Sequence, residues 1–588
     1  MRFQRTPGPH PAPSRRHRPA LTLTVFAFAC AFVVQSPGWA QTSYMALSKA
    51  LSSGTPQIDR WHWQTHDDAY TNGHYYSVKP PGLVLATLPL YRALDATGAE
   101  RLAAEARIRA ESGGGAPWGA RTLPVAQYGY SEARAIEARR AIADDAPMTW
   151  ALGLLGVVVP AVLLLLLVAR AAERIAPGTG LVTAVTLGTA TLVLPFSTLY
   201  FSHILSALLG FAAFALVWRE RERVRWRAGY LALAGLLAGL AVVCEYPLAI
   251  TAGIVGLYAL MPRVPGLVRR ALAYGGGLAA GVAPLLAYQW WAFGSPLHLA
   301  YDNAIATPGR SGHAAIGLNE TGFFGITVPR PEAAFELLFS GRGLLTLAPV
   351  LVLAIAGVVA LRRDGRHRAE ATVIAAIALT YFVYNAGYWL PLGGGSPGPR
   401  FLIPILPFLA LGLAVAWRRW PAVTLALTAI SATTMVIATM SHPMIGVNDP
   451  GVWIDRMLEQ GVFQHSVLDL AGVAHGLVAI LPFAIGIAIA LALGVSSLGR
   501  AELARGARWA PAAIVAWALA ATLLPRPGAL PSDGALTLVA VAGLVALLAV
   551  AVVALPLRRT RPAVSAQDEE HDRPAPRALE IQASQRTS

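Results

Sequence analysis

Long uncharged apolar runs dominate this sequence of 588 residues and exclude most soluble folds. Many of these runs reach about 17–25 residues, the length that an α-helix needs to cross the hydrocarbon core of a bilayer. Charged residues make up only 13% of the chain, whereas soluble domains carry about 25%. We therefore predict an all-α polytopic membrane protein with about 12–14 transmembrane helices.

The spacing of the apolar runs places the spans, and the arginines between them set the orientation. Spans are predicted near 21–36, 148–169, 180–196, 199–218, 229–243, 247–261, 271–293, 344–361, 371–390, 401–417, 421–440, 471–495, 510–524 and 535–557. Basic loops recur on the side of the arginine-rich N-terminus, which the positive-inside rule makes cytoplasmic. The net charge of +15 therefore reports orientation and does not indicate nucleic-acid binding. The run 21–36 is interpreted as a retained first span, with a cleaved signal peptide as the alternative.

This topology predicts four parts of the chain, with both termini cytoplasmic. They are a basic N-terminus (1–20), a transmembrane region (21–440) that contains a long first external loop (41–147), C-terminal transmembrane helices (441–560) and a disordered tail (561–588). In the first loop, residues 82–94 are too short to span and are predicted to lie on the membrane surface as a helix. Residues 99–146 are predicted to be a helical insertion that is broken at 113–115.

Lysine is rare in this chain, so its position is informative. Only Lys49 and Lys79 occur among the 47 lysines and arginines. Lys79 ends the aromatic run that begins at Gly73 and lies just before Pro80. An ammonium is a compact charge with three donors, which suits the oxygens of one phosphate. An exposed loop charge is the alternative interpretation.

The first loop concentrates polar and aromatic residues around Lys79. Within 21 residues it holds Asp59, His62, His66, Asp67, Asp68, His74, Tyr75, Tyr76 and Lys79. A carboxylate can accept a proton from an attacking hydroxyl, and a lysine can balance phosphate charge. We favour a sugar-phosphate site over aromatic anchoring at the membrane surface. His62 and His66 have a zinc-like spacing but are isolated, so no metal ligand or cofactor is assigned, and a divalent metal stays an alternative.

Other charged residues fall at the predicted outer ends of spans. Arg400 follows the glycine-rich run 393–398, and Arg342 lies between Gly341 and Gly343. Cations are unusual on the outer side, so both are candidates for binding the same phosphate. Glu245 and His203 are candidates for substrate binding because ionisable groups at membrane depth are costly.

The order of these motifs resembles bacterial GT-C glycosyltransferases, the polytopic enzymes related to protein O-mannosyltransferases and lipid A aminoarabinose transferases. The resemblance covers roughly residues 20–420. It rests on Tyr44, Asp59, Asp67, the run from Gly73 to Gly82, Phe201-Ser202-His203, Glu245-Tyr246-Pro247, Phe293-Gly294-Ser295-Pro296, Gly341-Arg342-Gly343-Leu344 and Gly395-Ser396-Pro397-Gly398-Pro399-Arg400.

The resemblance implies transfer of a sugar from a polyprenyl-phosphate donor, with inversion and with an outer-loop carboxylate as base. It also implies that Lys79 holds the donor phosphate. The acidic pair of the family is replaced here by Ala40-Gln41, and its second acid by His203. Asp59, Asp67 and Asp68 are then the candidate catalytic residues, with Asp67 or Asp59 preferred. His74, Tyr75 and Tyr76 join His203 and Glu245 as candidate substrate-binding residues.

The predicted setting is a bacterial cytoplasmic membrane with the active site outside. The predicted partners are the lipid-linked donor, membrane lipid and an external acceptor, which is a glycan, a lipid or a protein. Two alternatives have other consequences. A transporter of lipid-linked saccharides would show internal repeats and broken helices, and a non-catalytic homologue would fit the missing acidic pair.

Overall fold

A computed structural model of the chain describes residues 18–112, 131–223, 227–261, 266–304 and 325–555. Nearly all of the predicted basic N-terminus, the predicted break at 113–115 and the predicted tail (561–588) lie outside these ranges. The described residues are overwhelmingly helical, as the composition predicts for a chain that must satisfy its backbone hydrogen bonds within lipid.

The first half of the chain contains the helices that surround the site. They are α1 (Arg18–Phe32), α2 (Trp39–Ser52), α3 (Gly82–Ala96), α4 (Ala99–Ser112), α5 (Glu132–Gly153), α6 (Val159–Ile175), α7 (Gly180–Thr189), α8 (Val193–Phe196), α9 (His203–Arg221), α10 (Ala228–Cys244), α11 (Leu248–Leu260) and α12 (Leu267–Phe293). A π-helical turn (Leu154–Val158) joins α5 to α6, so the predicted insertion and the next span form one continuous helix, Glu132–Ile175.

The second half is equally helical. It contains α13 (Pro331–Phe339), α14 (Leu344–Leu347), α15 (Val350–Asp364), α16 (Arg368–Ala386), α17 (Leu406–Arg419), α18 (Pro421–Ser441), α19 (Val452–Leu458), α20 (Val467–Ala471), α21 (Gly476–Val495), α22 (Arg500–Leu503), α23 (Ala510–Leu523) and α24 (Asp533–Ala554). Short 3₁₀ turns are found at His62–Gln64, Ala300–Asn303, Arg400–Ile405 and Ala507–Trp509.

The helices match the predicted spans one for one. In the described part of the chain, eight helices are long and apolar enough to cross a membrane, and one further pair (Pro331–Leu347 with Val350–Asp364) is bent by 95°. Five more apolar helices are shorter, at 10–17 residues. These fourteen segments lie at the fourteen predicted positions. The chain is therefore an all-α, multi-pass membrane protein, as the hydropathy pattern predicts.

The described residues contain two short antiparallel strand pairs. Strand β1 (Val33–Val34) pairs with β4 (His465–Ser466), which joins the end of α1 to a segment more than 400 residues later. Strands β2 (Asp68–Thr71) and β3 (His74–Ser77) form a hairpin. Its turn contains Asn72 with φ of 52° and Gly73 with φ of 83°, the residue types that favour a tight hairpin turn with positive φ.

Glycines allow α10 and α12 to approach closely. A Cβ atom at Gly235 would lie 2.0 Å from the carbonyl oxygen of Tyr274, and one at Gly277 would lie 2.0 Å from that of Ala232. No real Cβ atom fits at that distance, so each glycine faces the backbone of the other helix. Small residues at helix contacts are typical of membrane proteins, where backbone packing replaces much of the hydrophobic driving force.

Replacing Gly235 with alanine should separate α10 from α12 and lower the thermal unfolding temperature in detergent, because overpacking costs about 1–3 kcal/mol. Gly253 of α11 is the matched control, since its added Cβ would meet no atom within 4 Å. Gly253→Ala should be neutral or slightly stabilising because alanine is the better helix former. Equal unfolding temperatures for the two variants would contradict this packing.

Candidate functional site

A cavity of about 710 Å³ lies among α2, the start of α9, the break between α10 and α11, and the loop 391–400. Five of the predicted site residues line it: Asp67, Lys79, His203, Glu245 and Arg400. They come from widely separated parts of the chain. The fold therefore brings the first-loop residues together with those at the ends of later helices.

Lys79 and Asp67 form an ion pair at the cavity wall. Lys79 Nζ lies 2.6 Å from Asp67 Oδ2, and the two side chains are only 11% and 10% exposed. Burial lowers the pKa of Lys79; the Asp67 charge opposes this effect, and the nearby Arg400 charge adds to it. The ammonium is therefore a poorly hydrated cation that gains from any anion admitted to the cavity.

A hydrogen-bond network around β3 positions this pair. Ser43 Oγ donates to the Asp67 carbonyl oxygen at 2.7 Å and also lies 2.7 Å from Ser77 Oγ. Ser77 Oγ in turn accepts from the Lys79 backbone N–H at 3.1 Å. The helix α2 thus holds both ends of the hairpin, which fixes the backbone of Lys79 beside that of Asp67.

The start of α3 sets the first loop against α10. A Cβ atom at Gly82 would come within 2.7 Å of the Cys244 backbone nitrogen, so only glycine fits between these two chain segments. Gly82 follows Lys79 by three residues, and Cys244 precedes Glu245. This single close approach brings the Lys79 end of the loop to the Glu245 end of α10.

Arg400 provides the second cation of the cavity. Its guanidinium carbon lies 5.4 Å from the ring centre of Phe201 and 5.3 Å from that of Phe401. Its Nε atom is buried and has no hydrogen-bond partner among the described residues. Gly393, with φ of 77°, lies so close that an added Cβ would come 2.8 Å from Arg400 Cγ. The glycine-rich run thus packs directly on this arginine.

Glu245 and His203 form a second buried pair in the same cavity. His203 Nδ1 contacts Glu245 Oε1, and Ser202 Oγ donates to the same oxygen at 2.8 Å. The Tyr44 hydroxyl lies 2.9 Å from Ser202 Oγ. The His203 ring stacks parallel to Phe201, with the centroids 5.4 Å apart. Glu245 is thereby held by a chain of side chains that begins on α2.

Aromatic side chains that sequence reasoning did not assign to the site form much of the wall. They are Trp39, Tyr246, Tyr301, Tyr384, Tyr388 and Trp389. Burial raises the pKa of Tyr301 and of Tyr388, so both hydroxyls stay protonated and can donate hydrogen bonds. The cluster of aromatics between 381 and 389, at the predicted outer end of a span, is the one sequence signal that points to this wall.

Three predicted residues of the first loop lie away from the cavity. Asp59 Oδ2 is 2.7 Å from His74 Nδ1, and both side chains are largely exposed, at 42% and 51%. Asp59 Oδ1 accepts from the Tyr75 backbone N–H at 2.7 Å. The Tyr75 ring stacks on His62 with centroids 3.7 Å apart. These side chains therefore stabilise the outside of the hairpin and do not line the cavity.

Three further predicted residues are buried but are not cavity-lining. Asp68 is 1% exposed and lies opposite Ser77 in the hairpin. Tyr76 packs against Phe293, with ring centres 4.7 Å apart. Arg342 Nη1 donates to the carbonyl oxygens of three residues that shape the loop 391–400: Gly394 at 2.6 Å, Ser396 at 3.2 Å and Ile445 at 3.3 Å. The Arg342 side chain thus holds that loop in place.

The two histidines with zinc-like spacing contact different aromatic rings. His62 stacks on Tyr75, whereas His66 lies edge-on to Trp39, with centroids 4.8 Å apart. Over the ranges that the structure describes, no group of three or more histidine, cysteine, aspartate or glutamate side chains could hold a metal ion.

Comparisons with known proteins give matches to solved structures only. No protein-family profile and no curated protein sequence matches the chain. ArnT from Cupriavidus metallidurans bound to undecaprenyl phosphate is 15% identical, with a TM-score of 0.42, over 89% of this chain and 83% of that chain. The same protein in the apo state is 16% identical, with a TM-score of 0.38 and the same coverage.

The Archaeoglobus fulgidus oligosaccharyltransferase in its apo form is also similar. It is 13% identical with a TM-score of 0.37, over 83% of this chain and 56% of that chain. Both proteins are members of the GT-C superfamily, the group that the order of motifs in this sequence resembles. At these TM-scores the similarity assigns no role to any residue of this chain.

Proposed function

We propose that this chain is a membrane glycosyltransferase that moves a sugar from a polyprenyl-phosphate donor to an acceptor hydroxyl. The observation that carries the proposal is the pair of cations, Lys79 and Arg400, in one cavity with aromatic walls. Buried cations are costly unless an anion compensates them. Asp67 is ion-paired with Lys79 and its charge also acts on Arg400, so one carboxylate is shared by two buried cations and the phosphate of a donor would supply further negative charge.

The walls of the cavity suit the sugar and the polyprenyl chain of such a donor. Tyrosine and tryptophan rings stack on the apolar faces of sugars while their polar groups donate hydrogen bonds. Aliphatic side chains at Ile250, Leu299 and Ile326 also line the cavity, and the surrounding helices are those of a membrane protein. The polyprenyl chain can therefore stay in lipid while its phosphate enters the protein.

In the proposed reaction, the acceptor oxygen attacks the anomeric carbon of the donor sugar from the side opposite the phosphate. The new carbon–oxygen bond forms while the bond to the phosphate oxygen breaks, and the electron pair leaves with the polyprenyl phosphate. Lys79 and Arg400 stabilise the negative charge that gathers on that oxygen. The positive-inside distribution of arginines supports a location of this chemistry on the outer side of a bacterial cytoplasmic membrane.

Release of labelled sugar from polyprenyl-phosphate mannose or arabinose by the purified protein tests this function. Arg400→Gln should lower the rate at least about tenfold, because it removes a charge that acts on the departing phosphate. Arg418→Gln is the control, since Arg418 lies in the last turn of α17, away from the residues that line the cavity, and its Nη1 donates to the Pro177 carbonyl oxygen at 3.3 Å. Arg418→Gln should release sugar at the wild-type rate.

Other outcomes of the same assay separate the alternatives. Equal rates for wild type and Arg400→Gln would contradict the role of Arg400 in the transfer. Movement of labelled lipid across vesicles without sugar release would indicate a transporter. Binding of undecaprenyl phosphate without release or movement would indicate a non-catalytic homologue.

A further inference from the structure

We infer that Glu245 is the general base that takes the proton of the acceptor hydroxyl, in place of a first-loop aspartate. This inference rests on the proposed function, because attack on the anomeric carbon needs a group that removes this proton. Two carboxylates line the cavity among the described residues, Asp67 and Glu245. The choice between them follows from what each one already binds.

Asp67 is committed to Lys79. Its Oδ2 atom lies 2.6 Å from the lysine ammonium, in surroundings that leave either side chain little exposed. A carboxylate in a buried ion pair is stabilised in its ionised form, so it is a weak proton acceptor. Protonation of Asp67 would also break the pair that holds Lys79, the residue proposed to bind the phosphate. Asp67 therefore serves best as a partner that aligns Lys79.

Glu245 is held by an imidazole and a hydroxyl, not by a lysine ammonium. His203 Nδ1 and Ser202 Oγ both contact Oε1 of its carboxylate. Oε2 is thus the oxygen available to a molecule in the cavity. The residue lies in extended conformation, with φ of −153° and ψ of 120°, at the end of α10. Glu245 therefore lies in the break between α10 and α11, where it lines the cavity.

The neighbours of Glu245 act as positioning residues. Tyr44, Ser202 and Glu245 form one hydrogen-bonded series, which restricts rotation of the carboxylate about its last torsion. His203 contacts Glu245 and stacks on Phe201, the same ring that Arg400 covers. The proposed base and the phosphate-binding cation are therefore held by one aromatic side chain, which fixes their separation.

The step balances without any further reactant. The proton of the acceptor hydroxyl moves to Glu245 Oε2 as the acceptor oxygen forms its bond to the anomeric carbon. The bond from that carbon to the phosphate oxygen breaks, and polyprenyl phosphate leaves with the electron pair. Glu245 then returns its proton to solvent. Water can take the place of the acceptor hydroxyl, and its attack needs the same proton acceptor, so sugar release reports the function of the base.

The test compares isosteric carboxamides in the sugar-release assay with polyprenyl-phosphate mannose and arabinose. Glu245→Gln should release sugar at least about 100-fold more slowly than wild type, the usual size of a general-base contribution. Its binding of undecaprenyl phosphate should stay at the wild-type level, which also reports a folded protein. Glu245→Asp should retain part of the rate, because a carboxylate remains at this position. Asp67→Asn should chiefly weaken lipid binding.

Glu370 is the matched control for Glu245. It too is a buried glutamate that accepts from a hydroxyl, with Tyr258 OH at 2.5 Å, and it too has a histidine neighbour, His367 Nδ1 at 3.7 Å. It is not among the residues that line the cavity. Glu370→Gln should release sugar at the wild-type rate.

The possible failures are distinguishable. Sugar release by Glu245→Gln at more than about a tenth of the wild-type rate would overturn the role of Glu245 and leave the transferase in place. A 100-fold loss in Asp67→Asn at saturating donor, with Glu245→Gln active, would assign the base to Asp67. No release by wild type from either donor would overturn the proposed transfer and the inferred base together.

Discussion

Replacing Lys79 with alanine should weaken the binding of undecaprenyl phosphate by at least about 100-fold and abolish sugar release. Lys79 is the cation that the ion pair with Asp67 holds at the cavity wall. In the proposed complex, Lys79 also pairs with the lipid phosphate. Truncating one member of such a buried pair between binding partners costs about 2–5 kcal/mol of binding free energy, and 1.4 kcal/mol corresponds to a factor of ten in affinity. The measurement is titration of the purified protein with the lipid, followed by the release assay.

The other lysine of the chain is an unusually close control. Lys49 Nζ lies 2.7 Å from Asp145 Oδ1, and the two side chains are 12% and 14% exposed. Lys49→Ala and Lys79→Ala therefore each leave a buried aspartate without its lysine, so we expect similar losses of stability. Only Lys79 lines the cavity. A Lys49→Ala variant that lost lipid binding as completely as Lys79→Ala would show that folding, not phosphate contact, explains the effect.

Replacing Arg270 with leucine should destabilise the protein by about 3–5 kcal/mol. Arg270 donates to Glu220 through two nitrogens, at 2.9 and 2.5 Å, and to the Ala259 carbonyl oxygen at 2.8 Å. The two charged side chains are only 2% and 1% exposed. Removing one partner of a fully buried ion pair leaves an uncompensated charge, which is costlier than losing both.

Two further variants test this explanation by thermal unfolding in detergent. Arg269→Leu removes a neighbouring arginine that is exposed and should change the unfolding temperature little. The double variant Arg270→Leu with Glu220→Leu should recover much of the loss, since neither charge remains in the interior. A double variant less stable than Arg270→Leu alone would contradict a penalty from the unpaired Glu220 charge.

The spans could be predicted because their signal is local. A bilayer demands a long apolar run wherever a helix crosses it, so hydropathy alone places all fourteen segments, and the arginine clusters divide them into loops. Lys79 could be selected because lysine is rare in the chain, and Arg400 because cations are unusual on the outer side. His203 and Glu245 could be selected because ionisable groups are costly at membrane depth.

The different surroundings of the three first-loop aspartates could not be predicted from such a local signal. Asp67 and Asp68 are adjacent in sequence, yet hairpin register sends their side chains to different surroundings. Asp59 becomes a partner of His74 only once the turn at Asn72 forms. Contacts between distant segments decide which carboxylate faces the cavity. A short stretch of sequence does not reveal these contacts.

Arg342 and Arg400 illustrate the same limit for cations. Both follow glycines at the predicted outer mouth of a helix, so the sequence treats them alike. In the structure, Arg342 binds three carbonyl oxygens, whereas Arg400 faces the cavity between two phenylalanine rings. The aromatic wall was missed because its members look like ordinary interfacial residues in the sequence, and only the fold brings these separate parts of the chain together.

The pairing of β1 with β4 has a consequence for biogenesis. Ser36 donates its backbone N–H to Gln464 Oε1 at 3.0 Å, across 428 positions of sequence. At about 5–20 residues per second, a ribosome needs roughly 20–90 s to make that stretch. The end of the first helix therefore emerges long before its partner exists. We expect the N-terminal half to wait in the membrane in an unfinished state, which makes that interval the period when insertion chaperones or proteases would act on it.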